Sequence, residues 1–192
     1  MQLNVYLISH PIINKLSTQI MYSTKSKNYV NTYIYSQLNL FLIYEVLRKL
    51  VQTKKIYIKN IDYIEEIYIF NPKESYILLT NLENCGDIIL YLKTIVPQLS
   101  LIHINLNKKQ YINKNYLNDN IKNLEEKQKI VVIEQFLDNH SIIPLIDYLI
   151  YNIRIKSKTI KLICITCTNN ILSIMNNRYP SLEIYTTKII SS

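Results

Sequence analysis

Six short apolar runs, most of them set apart by stretches long enough for helices, constrain this chain more than any other feature. They are Ile67–Phe70, Tyr76–Leu79, Leu99–Leu106, Lys129–Glu134, Ile160–Thr166 and Leu182–Thr187. Runs this short read as buried strands, and strands alternating with helices make βαβ units. The spacing therefore predicts an α/β fold, a parallel sheet flanked by helices on both faces. The N-terminal third reads differently. Ile12, Ile13, Leu16 and Ile20, then Leu38, Leu42, Val46 and Leu50, recur at helical spacing. Residues 1–52 are thus expected to form a helical part, and 64–188 the βα core, of one domain spanning 1–192. Further helices are expected over Cys85–Val96, Ile142–Ile153 and Ile171–Asn177, with Asn105–Asn123 as a polar exposed loop. In such folds ligands sit outside the carboxyl ends of the strands, so functional residues are expected just after Leu79, Leu106 and Ile133.

Composition changes how the charge is read. Ile, Asn, Lys and Tyr fill 94 of 192 positions, Ala and Trp are absent, and Gly86 is the only glycine. The missing types are largely those with GC-rich codons and the inflated ones those with AT-rich codons, the mark of AT mutational pressure in an organelle or a reduced genome. The net charge is +8, yet 19 of the 22 basic residues are Lys and only Arg48, Arg154 and Arg178 are Arg. Base edges and phosphates favour the Arg fork, so nucleic acid is not the expected partner. No run reaches the roughly 18 apolar residues of a membrane span, and no signal or transit segment is recognisable. Cys85, Cys164 and Cys167 lack the spacing of a disulfide framework. Cys164 and Cys167 form a CxxC within a strand, where residues three apart should point to opposite faces, so a metal site is not expected. Asp62, Glu65 and Glu66 read as an acidic turn, and Asp147 with Tyr148 as an exposed helix face.

Landmarks at these strand ends follow the order of a known family. His10-Pro11-Ile12-Ile13 is similar to an HPLV opening, and Leu42-Ile43-Tyr44-Glu45-Val46 to an LxYEA helix. Ile95-Val96-Pro97 falls where that family has a helix ending in VP; VVIEQFL at 131–137 aligns with VVDPML, and YPSLEIYT at 179–186 with HPDVELYTA. Five motifs in this order make the chain resemble uracil phosphoribosyltransferase. The resemblance implies a type I phosphoribosyltransferase-like fold and transfer of ribose 5-phosphate from phosphoribosyl pyrophosphate, with magnesium, to uracil, giving UMP. It also implies a homo-oligomer. With the composition, it implies a protein encoded and made in a plastid, or otherwise a cytoplasmic one.

The same alignment carries over the ligand loops, and there the chain departs. The loop that receives the 5-phosphate, DPMLATGGS in the family, reads Glu134, Gln135, Phe136, Leu137, Asp138, Asn139, His140, Ser141. Glu134 keeps the acid that would face the ribose. His140 and Ser141 replace the paired glycines that permit positive φ and close backbone approach. Asp138 brings a carboxylate to the phosphate position; two like charges about 4 Å apart repel by roughly 4 kcal/mol at an effective dielectric of 20, on the order of a thousandfold in affinity. The pyrophosphate turn, LRAGLG in the family, falls on Glu83, Asn84, Cys85 and Gly86, with Glu83 where an Arg would stand. Lys108 and Lys109 align with a basic loop. The family's uracil-recognition segment follows the last strand and has no counterpart before Ser192. A homologue that keeps the fold and has lost the transfer is therefore expected, with weak binding of phosphoribosyl pyrophosphate or UMP at most. Two other readings stand beside it: an active enzyme completed by a partner chain, and a basic nucleic-acid-binding protein.

Overall fold

The computed structural model describes residues 2–23, 29–81, 88, 91–104, 114–121, 128–138 and 140–191. Strand β1 (Asn4–Leu7) is followed by helices α1 (Pro11–Ser23) and α2 (Tyr29–Leu50), and then by β2 (Thr53–Lys59), β3 (Ile64–Phe70) and β4 (Ser75–Thr80). After a helical segment at 91–95 come β5 (Leu99–His103), α3 (Lys114–Ile121) and β6 (Gln128–Leu137). A 3-10 turn (His140–Ile142), α4 (Ile143–Asp147) and one turn of π-helix (Tyr148–Asn152) lead to β7 (Ile160–Thr168), α5 (Asn169–Arg178) and β8 (Glu183–Ile190).

Six strands form one sheet in the order β1-β8-β7-β6-β4-β5, every pair parallel. This is the α/β architecture that the apolar runs imply. The central strands are apolar at every step because both faces are covered. Ile77, Leu79, Ile130, Val132 and Leu162 pack toward α3, α4 and α5, while Tyr76, Leu78, Val131, Ile133 and Ile163 pack toward α1, α2 and the helical segment. One polar lock seats α2 at the starting end of the sheet. Lys129 Nζ donates to the Leu50 carbonyl at 2.6 Å and pairs with Glu74 Oε1 at 2.8 Å. Glu74 Oε2 in turn accepts from the Tyr76 hydroxyl and from Gln52 N.

Several elements differ from the sequence expectations. The N-terminus contributes β1, an edge strand parallel to β8, whose four residues are too few to show a period. Ile67–Phe70 is not in the main sheet; β2 and β3 form a separate antiparallel hairpin, closed by Asn60 N donating to Tyr63 O at 2.9 Å. Glu65 and Glu66 therefore lie in β3 rather than in a turn. Within the stretch expected as a loop, 114–121 is helical because Leu117 and Ile121, four apart, are both buried against the sheet. Tyr148 is buried rather than exposed, its hydroxyl donating to Asn118 Oδ1 at 2.7 Å. Asp147 accepts from Tyr179 Oη at 2.6 Å and pairs with Arg178 at 3.2 Å.

Candidate functional site at the strand ends

The carboxyl ends of β4, β6 and β7 meet at one rim. Thr80 stands beside Ile133, and one residue further on Glu134 stands beside Cys164, which is paired in turn with Thr186 of β8. Strand β6 runs to Leu137, past the end of β4, so its last residues have a strand neighbour on the β7 side. Thr80 and Asn81 close β4 as buried polar residues.

Glu134 is half-buried at this rim. Burial pushes its carboxyl up to about 7; the charge of Asp138 adds to the rise, and a hydrogen bond from the Gln135 backbone opposes it. Near neutral pH Glu134 therefore exchanges a proton, unlike an ordinary exposed carboxylate. Asp138 is exposed, as is His140, whereas Ser141 is half-buried. Leu137 is buried in the core and turned away from any ligand. The structure thus brings Glu134 and Asp138 to one rim, and buries Leu137, aligned to the same loop, in the core.

The backbone after β6 decides what this rim can hold. A phosphate at a strand–helix junction is bound by free N–H groups in the first turn of a helix. Here the helical run opens with the 3-10 turn His140–Ile142 and passes into α4, five residues long, with Pro144 lacking an N–H. Among the described residues only Arg154, at φ 66°, has a positive φ. Neither Asp138, His140 nor Ser141 adopts the left-handed conformation that a glycine would give a close phosphate cradle. Of the other sequence-predicted residues, Asn139, Glu83, Asn84, Cys85, Gly86, Lys108 and Lys109 lie outside the described residues.

Sequence reasoning misplaced the CxxC. The ladder passes over Ile165, whose carbonyl accepts from Thr186 Oγ1 at 3.2 Å and from Thr187 Oγ1 at 2.7 Å. The alternation slips by one at that point. Cys164 and Cys167 consequently face the same core, instead of diverging. Burial pushes the Cys164 thiol up, which keeps it protonated and inert. Among the described residues no group of three or more His, Cys, Asp or Glu is placed to hold a metal.

No family model matches the chain. A uracil phosphoribosyltransferase homolog of Pyropia yezoensis is 25% identical over 189 residues, which are 98% of this chain and 89% of the relative. A uracil phosphoribosyltransferase homolog of Porphyra purpurea is 25% identical over 192 residues, 100% of this chain and 90% of the relative. Among solved structures, the AQ2163 protein of Aquifex aeolicus superposes with a TM-score of 0.68 at 13% identity, over 97% of this chain and 88% of that one, a likeness of fold. No helix among the described residues is long and apolar enough to cross a membrane.

Proposed function

We propose that this chain is a divergent relative of the uracil phosphoribosyltransferase family, to two homologs of which it is 25% identical over nearly its whole length, and that it retains the family's fold without the transfer of ribose 5-phosphate to uracil. One observation carries the reading. The loop after β6 opposes an anion through Asp138, beside the half-buried Glu134, and has none of the left-handed backbone positions of a close phosphate cradle. A bound phosphoribosyl pyrophosphate would bring several negative charges and its magnesium to that rim. Magnesium offsets the pyrophosphate; it does nothing for the 5-phosphate beside Asp138.

The chemistry itself makes further demands. Transfer passes through an oxocarbenium-like centre at the sugar, which an ionised carboxylate stabilises. Glu134, half protonated near neutral pH, supplies that charge only in part. The core that surrounds the rim is nevertheless intact, with Val131, Val132 and Leu162 fully buried. Loss confined to the ligand loops, on a sheet that still packs, supports a retained scaffold over general decay. We also assign the protein to a plastid, a reading supported by its AT-type composition and by relatives from red algae; detection in isolated plastids tests it.

The functional test is a calorimetric titration of the purified chain with phosphoribosyl pyrophosphate and magnesium, then with UMP and with uracil. The expected result is no heat at millimolar ligand. Micromolar binding, followed by magnesium-dependent UMP formation, would overturn the proposal and establish an active enzyme.

A further inference from the structure

The α1–α2 face of the sheet carries an apolar groove of about 570 Å³ that reaches the starting end of the strands. Val51, Phe70 and Val96 mark that end. Val51 follows Leu50, whose carbonyl Lys129 holds, and Phe70 and Val96 come just before β4 and β5. Neither Glu134 nor Asp138 lines the groove, so it is separate from the strand-end rim. Its floor belongs to the core, with Ile13, Leu92 and Val96 each 3% exposed or less. A floor packed in this way is preformed, as ligand pockets usually are.

Three aromatic rings, Phe41, Tyr44 and Phe70, stand among its aliphatic walls. Phe41 is 37% and Tyr44 61% exposed, which leaves ring surface uncovered. Such rings favour another ring, offset or edge to face, beyond the area they bury. The fixed charges of the lining are Glu45 and Arg48, and they are spent on each other, with Arg48 Nη2 2.9 Å from Glu45 Oε2. An anion would have to take Arg48 from Glu45, and a cation would have to take Glu45 from Arg48. Charge complementarity therefore selects an uncharged occupant. His10 Nδ1 accepts from Ile12 N at 3.2 Å, which leaves Nε2 for one polar atom of a ligand.

Size narrows the class further. A volume of about 570 Å³ falls within the roughly 300–1,000 Å³ of pockets that enclose a drug-sized molecule. An extended peptide would bring backbone N–H and C=O groups into a lining with almost nothing to pair them. We propose that the groove binds an uncharged aromatic small molecule, held by Phe41, Tyr44 and Phe70 over the floor of Ile13, Leu92 and Val96. The inference stands on the groove alone and does not depend on the reading of the strand-end rim.

Fluorescence titration of the full chain with N-phenyl-1-naphthylamine, an uncharged aromatic probe, tests it, with circular dichroism confirming the fold of each variant. The same skeleton bearing a sulfonate, 1-anilinonaphthalene-8-sulfonate, reports the charge preference. Both titrations are run at high salt, which screens the chain's net charge of +8. The uncharged probe should bind one per chain at micromolar strength, and the sulfonate about tenfold more weakly or worse. Ile95→Glu, in the exposed wall of the groove, should weaken the uncharged probe about tenfold or more. Ile61→Glu, at an exposed position outside the groove, should leave it unchanged. Glu45→Gln frees Arg48 and should tighten the sulfonate without moving the uncharged probe. No saturable binding, an equal loss from Ile61→Glu, or a wild type that prefers the sulfonate would each overturn the proposal. So would binding that appears only on dilution, the mark of a second copy seated in the groove.

Discussion

Glu134→Gln separates the electrostatics of the rim from its packing. The substitution keeps shape and hydrogen-bonding capacity and removes the titrating proton. In the folded chain the carboxyl is lifted from its ordinary 4.5 to about 7, so the folded state binds the proton more tightly than the unfolded state does. The native state is then penalised progressively as pH rises from about 4.5 to about 7, and the full penalty persists above that range. At about 1.4 kcal/mol per tenfold change in proton affinity, the upper bound is roughly 3 kcal/mol. Urea unfolding of wild type and variant at about pH 4.5 and about pH 9 reads the difference directly, since every other titrating group is common to both. The variant should match the wild type at the lower pH and exceed it by about 2–3 kcal/mol at the higher one. A gain of equal size at both pH values, or none at the higher, would refute the argument that burial and Asp138 hold the proton on Glu134.

The lock at the root of α2 has the opposite pH sign. Burial pushes the Glu74 carboxyl up, but hydrogen bonds from Lys129, Tyr76 and Gln52 N outweigh it and leave the carboxyl below its ordinary value, so its contribution is present above about pH 4.5 and fades as pH falls through the folded value. Lys129→Met strands Glu74 without its cation and should cost about 3–5 kcal/mol by urea unfolding, most of it recovered by adding Glu74→Gln; a loss under about 1 kcal/mol would argue against the lock. Tyr179→Phe removes the 2.6 Å hydrogen bond to Asp147 and should lower stability by about 1–3 kcal/mol in thermal unfolding. Iodoacetamide at neutral pH should leave Cys164 unmodified in the folded chain and label it fully in urea, read by peptide mass spectrometry, because the thiol is buried and held protonated.

The fold class was legible because a parallel sheet covered on both faces writes itself as uninterrupted apolar runs, and Val131–Ile133 and Leu162–Ile165 are such runs. The acid at Glu134 and the carboxylate at Asp138 were legible too, since aligned motifs carry residue identity directly. Identity does not carry direction or partnership. Leu137 occupies an aligned loop position and lies in the core. Cys164 and Cys167 share a face only because the ladder skips Ile165, a slip that no local pattern announces. The Ile67–Phe70 run is as apolar as β4, yet it pairs with Thr53–Lys59 in an exposed arm. By itself the sequence determined most of the core strands and helices, though not β1, β2 or α3, and which charges would reach the β6 loop, because local spacing and residue type carry that information. Tertiary structure alone decided which strands pair, which side chains face one another and which apolar face is left uncovered, because those depend on contacts between residues far apart in the chain.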